Sequence, residues 1–408
     1  MNQHENQPAL KRSLSLWSIS FYGIGTIVGA GIYVLIGKVG LEAGIYMPLS
    51  FLLAGVIAAF TALSYAEMSS RFPRSAGSAI FVFEAWHSAK ASQITAIMVA
   101  LSGIISAAAI SNGFVGYLNL FIPLPPFTAI TLLALILAVI AAWGIKESAV
   151  VITLITLIEV GGLLFVIYCG LTSDYDISRP LNFEGFSSSN LLSIGVGSFL
   201  AFYAFIGFED MVNVAEEVKD PRRNLPRAII IAIVVSSILY ISVALIAVIS
   251  LPIEQLANSD APLATIVKSA GYSTAFIGLI SLFAVVNGAL VQLIMASRLL
   301  YGMASQGLFP SFLAHVNAKT QTPIIATTII ALLIWVFATL LPITLLAKTT
   351  SFIMLSVFAV VNLALIMVKR QQRDLAVDCK TYSVSIPIIG LFLCLLLLAL
   401  QTISLDIF

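Results

Sequence analysis

The chain has 408 residues, of which 60% are hydrophobic and only 10% are charged, and its mean hydropathy is +1.06. Its 20 Lys and Arg residues nearly balance its 19 Asp and Glu residues, and they gather in short clusters between long apolar runs, so they cannot coat a globular core of this size. This composition excludes an ordinary soluble protein and predicts an integral membrane protein.

A membrane-crossing helix needs about 20 mainly apolar residues, and this criterion predicts eleven spans. Residues 1–16 are polar, and the apolar run that follows them is interrupted by glycines and has no small-residue cleavage site. We therefore expect a retained cytoplasmic tail and not a signal peptide. An earlier start of the third span, near Ser78, is an open alternative. In chain order the predicted spans are 17–38, 46–68, 92–118, 124–143, 149–171, 191–215, 228–251, 273–302, 323–341, 343–368 and 384–405.

The basic residues predict the orientation of these spans. If the N-terminus is cytoplasmic, only four of the 20 Lys and Arg residues lie outside, namely Lys38, Arg179, Lys268 and Lys348. Such a strong positive-inside bias predicts a multi-pass protein of the cytoplasmic membrane with its C-terminus outside. No polar stretch between the spans is long enough to fold alone, so we expect the binding chemistry inside the helix bundle.

The first span carries four glycines at membrane depth: Gly23, Gly25, Gly29 and Gly31. Glycine is a poor helix former, so this density favours an unwound stretch near residues 26–31. For this segment alone, a small-residue packing face is the alternative interpretation.

The fifth span contains a carboxylate at membrane depth, Glu159. Such a group is costly unless it faces the bundle interior and is paired or protonated. We hypothesise that Glu159 binds a proton or a cationic group in step with a substrate, and a hydrogen-bonded structural carboxyl is the alternative. In the eighth span, Asn287 and Gln292 are polar groups that reach this interior or bond neighbouring helices.

The sixth span is also interrupted at membrane depth, where Gly207 is followed by Glu209 and Asp210. Broken segments at matching places in two halves indicate a transporter binding site. The first and sixth spans run in opposite directions, as inverted repeats require. Freed amides and carbonyls at such breaks suit the carboxylate and the ammonium group of a zwitterionic amino acid.

Four motifs occur along the chain, and together they resemble the amino acid-polyamine-organocation superfamily of permeases. They cover residues 23–33 (GIGTIVGAGIY), 64–77 (SYAEMSSRFPRSAG), 204–226 (AFIGFEDMVNVAEEVKDPRRNLP) and 296–310 (ASRLLYGMASQGLFP). The resemblance implies an all-α integral membrane protein with a leucine-transporter-like five-plus-five inverted repeat and interrupted helices 1 and 6. It divides a ten-helix core, 17–368, into repeats at about 17–171 and 191–368, and leaves 369–408 for an inner loop and one additional helix where the family usually has two.

The resemblance also implies site residues. It assigns the substrate carboxylate to the backbone around Ile27, Gly29, Ala30 and Gly31. It assigns the substrate ammonium to the carbonyls of Tyr203, Ala204 and Ile206.

The same resemblance implies roles for two side chains, Tyr203 and Glu209, and shows a departure at Glu159. Tyr203 occupies the position of a large aromatic that closes over the substrate, although an ordinary interface tyrosine is the alternative. Glu209 matches an acidic position proposed to sense protons, whereas Asp210 is expected to face the inner solvent, about 100° away around a helix. Similar proton-coupled permeases carry a lysine where this chain has Glu159.

These observations predict a secondary active transporter of amino acids that is proton-coupled or exchanging. Neutral substrates are favoured because no ring of charges surrounds the site. An antiporter of cationic amino acids or polyamines and a non-transporting amino acid sensor are the alternatives.

No motif for catalysis, metal binding or phosphate binding is evident, so the sequence predicts no enzyme, no metal and no cofactor beyond a proton or sodium gradient. The expected partners are the amino acid and the lipid bilayer. Nucleic acid is not among them, since no basic patch is interleaved with aromatics. The oligomeric state stays open, and a monomer is compatible with the sequence.

Overall fold

A computed structural model of the chain describes residues 12–74, 77–143, 149–173, 187–305, 309–317, 319–371 and 379–407. Apart from short 3₁₀ segments and connections, these residues form α-helices. They are α1 (Leu16–Val28), α2 (Ala30–Ala43), α3 (Met47–Arg71), α4 (Gly77–Trp86), α5 (Ala89–Leu118), α6 (Pro126–Trp143), α7 (Ala149–Thr172), α8 (Ser188–Phe202), α9 (Pro221–Ser250), α10 (Ile253–Ala257), α11 (Pro262–Ser269), α12 (Thr274–Ser305), α13 (Ile324–Leu340), α14 (Ile343–Arg370) and α15 (Ser385–Ile407).

The predicted membrane spans coincide with these helices. Nine stretches of the described chain are long and apolar enough to cross a membrane. One of them, Leu16–Arg71, contains the first two predicted spans, and the ninth predicted span is the shorter apolar helix α13. The prediction of an all-helical membrane protein with about eleven spans is therefore confirmed.

The outer faces of the helices carry large apolar side chains. Phe283 of α12 is 68% exposed, and Leu340 at the end of α13 is 74% exposed. A water-soluble protein would bury such side chains, whereas a bilayer solvates them as well as a protein core does. The surface of the bundle therefore fits a surrounding lipid phase.

The chain upstream of the third span forms a separate helix. Helix α4 ends at Trp86, and His87 then takes a positive φ of 52°. Helix α5 begins after Ser88, whose hydroxyl accepts the Ala91 N–H at 3.3 Å and so caps the helix start. The alternative of a longer third span starting near Ser78 is therefore wrong, because a turn at His87 separates the two helices.

Contacts between distant segments define the two ends of the bundle. At one end, Leu14 pairs with Val218, and the Ser70 hydroxyl donates to the carbonyl oxygen of Arg222 at 2.8 Å. We call this the basic end, because the clusters at 71–74, 219–227 and 369–370 lie there. At the opposite end, Lys348 of α14 pairs with Glu42 of α2 at 2.7 Å.

A single buried carboxylate joins three segments at the basic end. Glu67 of α3 is fully buried and lies 2.6 Å from both the Arg71 guanidinium and the Lys369 ammonium of α14. Its second oxygen accepts the N–H of Tyr382, just before α15, at 2.9 Å. Glu67 therefore fixes the chain that leads into the eleventh span.

The eleventh span also packs on the core at membrane depth. Helix α15 contacts α14, α3 and α8. The Asn362 amide of α14 accepts from the Ser64 hydroxyl at 2.6 Å and donates to the Thr61 hydroxyl at 3.0 Å. Thr61 in turn contacts Cys394 of α15 at 3.6 Å. Polar contacts of this kind hold helices together where hydrophobic burial provides no driving force.

Replacing Glu67 by Ala leaves Arg71 and Lys369 largely buried without a counter-charge. Removing one partner of a buried ion pair costs about 3–5 kcal/mol, so we expect a clearly lower midpoint of thermal unfolding in detergent. Proteolysis between α14 and α15 should also become faster, because Tyr382 loses its acceptor.

The matched control is Arg74→Ala. Arg74 pairs with Glu84 at 3.6 Å, and its side chain is 66% exposed, so this loss should cost at most about 1 kcal/mol. Equal unfolding midpoints for E67A and R74A would contradict the role given to Glu67.

Candidate substrate-binding site

The first membrane span breaks at Gly29. Its φ and ψ of −25° and −132° end α1, and α2 begins at the next residue, Ala30. The Gly29 N–H still bonds the Gly25 carbonyl at 3.0 Å, which closes the last turn of α1. The amides at the start of α2 have no partner within their own helix, so they form the positive end of its dipole.

The sixth span breaks at Gly207, in backbone contact with the first break. Helix α8 passes into a 3₁₀ turn, Tyr203–Phe205, and after Gly207 a second 3₁₀ segment runs over Phe208–Glu217. Gly207 has a φ of 135°, and a Cβ there would lie 2.7 Å from the carbonyl carbon of Thr26. Only glycine fits both the dihedral angle and the approach. The interrupted helices 1 and 6 are thus confirmed, and they cross at their breaks.

A tyrosine from the seventh span joins the two breaks. The Tyr240 hydroxyl of α9 lies 2.6 Å from the carbonyl oxygen of Ile27 and 2.9 Å from that of Ala204. These are two of the carbonyls that the broken helices leave unpaired. Sequence reasoning missed Tyr240, since a lone tyrosine in an apolar run has no distinguishing spacing.

A cavity of about 690 Å³, including its open mouth, lies beside the breaks. Five of the predicted site residues line it: Ile27, Gly29, Gly31, Tyr203 and Ile206. Ala204 directs its carbonyl to Tyr240 and does not line the cavity. Ala30 begins α2. The wall also includes polar side chains from α1, α5, α7 and α12: Tyr22, Thr26, Ser106, Thr156, Asn287 and Gln292.

The predicted ammonium ligands differ in their availability. The Tyr203 carbonyl accepts the Ile206 N–H at 3.2 Å, and the Ala204 carbonyl accepts from Tyr240. Ile206 is extended, with φ and ψ of −66° and 133°, and lines the cavity. A cationic group entering here would meet Ile206 first. It would compete with the Tyr240 hydroxyl for the Ala204 carbonyl and with the Ile206 N–H for the Tyr203 carbonyl.

The Tyr203 ring forms a fixed part of the wall. Its hydroxyl lies 2.9 Å from the Ser106 hydroxyl and donates to the Ser106 carbonyl at 3.1 Å. These contacts join the sixth span to the third across the cavity. The phenylalanines beside it pack against other rings: Phe202 contacts Phe358, Phe205 contacts Tyr240, and Phe208 contacts Tyr65 and Phe358.

Glu159 lies behind the cavity wall. It is fully buried, and the Asn287 amide donates to its Oε1 at 3.2 Å. Its Oε2 has no hydrogen-bond partner, and its main-chain carbonyl accepts from the Tyr33 hydroxyl. Because Asn287 lines the cavity, this residue connects the carboxyl to whatever the cavity holds.

The two acids after Gly207 are both buried. The Glu209 side chain accepts the Gly207 N–H at 2.8 Å, so it binds the break itself. Asp210 is only 1% exposed, and the expectation that it faces solvent is wrong. The reason is that the 3₁₀ segment is packed on several sides by α1, α3, α4 and α9.

The site shows no sign of a metal centre. Within the described ranges, no three His, Cys, Asp or Glu side chains come close enough to hold a metal ion. The polar groups around the cavity are instead amides, hydroxyls and carbonyls, which suit a small polar organic molecule.

Residues 14–406 match a family model described as amino acid permease. The chain belongs to this family. The match covers both breaks, the cavity and all eleven spans, so it supports the fold over nearly the whole length.

Curated relatives of the permease are transporters that are named for different substrates. A branched-chain amino acid permease of Bacillus subtilis is 30% identical over 96% of this chain and 88% of its own length. A methylthioribose transporter of the same organism is 27% identical over 97% and 89%. A vacuolar cationic amino acid transporter of Arabidopsis thaliana is 30% identical over 88% of this chain and 64% of its own length.

Replacing Gly207 by Ala tests the crossing of the two breaks. The new Cβ would press on the Thr26 carbonyl, and the positive φ adds strain of about 1–3 kcal/mol. We expect a lower unfolding midpoint and at least about tenfold weaker ligand binding, measured by ligand-induced thermal stabilisation in detergent.

Gly161→Ala in α7 is the matched control, because nothing lies within 4 Å of a Cβ at Gly161. It should leave stability and binding unchanged. The crossing would be refuted if G207A and G161A behaved alike in both measurements.

Proposed function

We propose that the permease is a secondary active transporter that carries amino acids across the cytoplasmic membrane, favours neutral side chains, and is driven by protons or by exchange. One observation carries this proposal: two broken helices meet in backbone contact beside a cavity lined with amides and hydroxyls. Breaks at membrane depth are tolerated only where protein, water or a ligand satisfies the freed groups.

The geometry suits a zwitterion. The substrate carboxylate would take the free amides at the start of α2, around Gly29, Ala30 and Gly31, where the helix dipole favours a negative charge. The ammonium would take the Ile206 carbonyl and displace the Tyr240 hydroxyl from Ile27 and Ala204. A displaced Tyr240 hydroxyl offers a direct link between substrate binding and the packing of α9.

The cavity wall supports a neutral substrate. Beyond the breaks it is formed by Ile110, Ile152 and Val291, and no charged residue of the described chain lines it. An apolar side chain would gain from leaving water there, about 25 cal/mol for each Å² buried. The name of the Bacillus subtilis relative, a branched-chain amino acid permease, agrees with a neutral substrate.

Cationic amino acids are the second candidate. The unpartnered Oε2 of Glu159 is separated from the cavity by one side chain, Asn287, and could compensate a positive charge. Several relatives are named as cationic amino acid transporters. Glu159 therefore has two candidate roles, a proton site or a counter-ion.

The proposed orientation places the basic end in the cytoplasm, with the N-terminus inside and the C-terminus outside. The positive-inside bias supports it. So do the contacts that bring Arg71, Arg222 and Lys369 to the same end of the bundle.

Uptake into proteoliposomes tests the function. We expect purified protein to accumulate labelled leucine, isoleucine or valine more than lysine or arginine, and a pH gradient or internal unlabelled substrate to raise that accumulation. Accumulation driven by a sodium gradient alone is measured for comparison. If the protein neither accumulated nor exchanged any amino acid, the proposal would be overturned and a non-transporting sensor would be favoured.

Glu159→Gln tests the coupling role. The amide keeps the shape and still accepts from Asn287, but it cannot gain or lose a proton. We expect substrate affinity to become independent of pH and pH-driven uptake to fall at least about tenfold, whereas exchange at equal pH persists.

The matched control is Glu254→Gln, which changes an exposed acid on α10. It should leave affinity, uptake and their pH dependence as they are. Uptake by E159Q with unchanged rate and pH dependence would remove Glu159 from the coupling step. Selective loss of lysine and arginine binding would instead identify Glu159 as their counter-ion.

A further inference from the structure

A second buried acid lies near the cavity and has no role in the function proposed so far. Asp210 is 1% exposed, and its Oδ2 has no hydrogen-bond partner. Its Oδ1 lies 3.5 Å from the Asn213 amide, at the outer limit of a hydrogen bond. An ionised carboxylate in this position would be severely under-stabilised.

The surroundings of Asp210 supply no compensating cation. The groups that act on it are the Gln292 amide of α12 and the like charge of Glu209, and the Tyr65 phenol of α3 faces it as well. Among the packed elements, α1 has no charged residue, and the acid of α4, Glu84, pairs with Arg74. The arginines of α9 lie in its first two turns, and none of the ion pairs found in the described chain involves Asp210.

The two neighbouring acids differ in what they accept. Glu209 receives the Gly207 N–H at 2.8 Å, which stabilises its charged form. Asp210 receives no such main-chain donor, and two adjacent buried carboxylates cannot easily both be charged. Asp210 is therefore the member of the pair that is suited to hold a proton.

A side chain of α12 links Asp210 to the cavity, as another does for Glu159. Gln292 lines the cavity and its amide acts electrostatically on Asp210, whereas Asn287 lines it and hydrogen-bonds Glu159. Both amides belong to α12, and they are five residues apart, which is about 7.5 Å along a helix. Asp210 lies in the 3₁₀ segment that leads to the basic end, whereas Glu159 lies midway along α7.

We propose that Asp210 and Gln292 form a second proton-binding site, between the cavity and the basic end. Hydronium on that side donates a proton to the carboxylate at Asp210 Oδ2: one O–H bond of hydronium breaks, one O–H bond to Oδ2 forms, and water is left. Deprotonation reverses this step and returns the proton to water as hydronium. The inference rests on the proposed function only for its link to transport, since the protonation itself needs no substrate.

The first test is infrared spectroscopy of the purified protein, titrated in pH without substrate. Wild-type protein should show a carbonyl band of a buried carboxylic acid that is missing in D210N and present in E159Q, in E209Q and in the exposed control D260N. An unchanged band in D210N would overturn the site. Absence of the band from wild type, together with a sodium-dependent change that D210N lacks, would also overturn it in favour of a metal-ion site.

The second test is transport, with the two acids compared. In D210N the pH dependence of substrate affinity should persist, because Glu159 is intact, but pH-driven accumulation should fall at least about tenfold. Exchange at equal pH should remain within about threefold of wild type, a difference of less than about 0.7 kcal/mol. Full pH-driven accumulation in D210N would overturn the link to transport, even if the band assignment holds.

If D210N does not fold, Gln292→Met keeps the carboxyl and removes its amide partner. The carboxylic acid band should then shift in position, and pH-driven accumulation should fall while exchange continues. An unshifted band in Q292M would show that Gln292 does not contact the protonated acid and would overturn the proposed pair. Failure of the proposed transport function would appear differently, as an intact infrared titration in protein that moves no amino acid.

Discussion

The structure depends on a backbone crossing at membrane depth, where Gly207 lies against the peptide of Thr26. A bilayer offers no hydrogen bonds, so every amide and carbonyl freed there needs a partner from the protein or from a ligand. Thr26 donates its hydroxyl at 3.0 Å to either Gly207 or Gly23, and Tyr240 donates to Ile27 or Ala204. These hydroxyls satisfy the carbonyls freed at the breaks, and a substrate that binds those carbonyls has to replace the hydrogen bonds that it displaces.

The groups that line the cavity are neutral, and the charged side chains nearest to it lie behind its wall. Its wall consists of neutral polar and apolar groups. Glu159 lies behind the wall and is hydrogen-bonded to Asn287, and the Gln292 amide of the wall acts electrostatically on the buried Asp210. Such an arrangement allows a change of protonation to alter the orientation of an amide without exposing a bare charge to an apolar substrate.

The spans and both breaks could be predicted from the sequence, because apolar run length and glycine density are local properties. Five of the seven expected backbone site residues line the cavity for the same reason. Tyr240 could not be predicted, since its partners are 36 and 213 residues away along the chain. The burial of Asp210 and the network around Glu67 could not be predicted from the sequence either, because each depends on which helices pack together. For charged residues near the end of a span, the sequence favours solvent exposure.

The Glu67 network constrains how the molecule can rearrange. Its carboxylate holds α3, α14 and the start of the eleventh span together with one guanidinium, one ammonium and one main-chain amide. Pulling these segments apart would strip two cations from an acid that water cannot reach, which is far more costly than sliding apolar helix faces past one another. Low-energy motions of the bundle therefore carry this corner as a rigid block, and the hinges belong at the glycine breaks, where the peptide chain already lacks helical bonds.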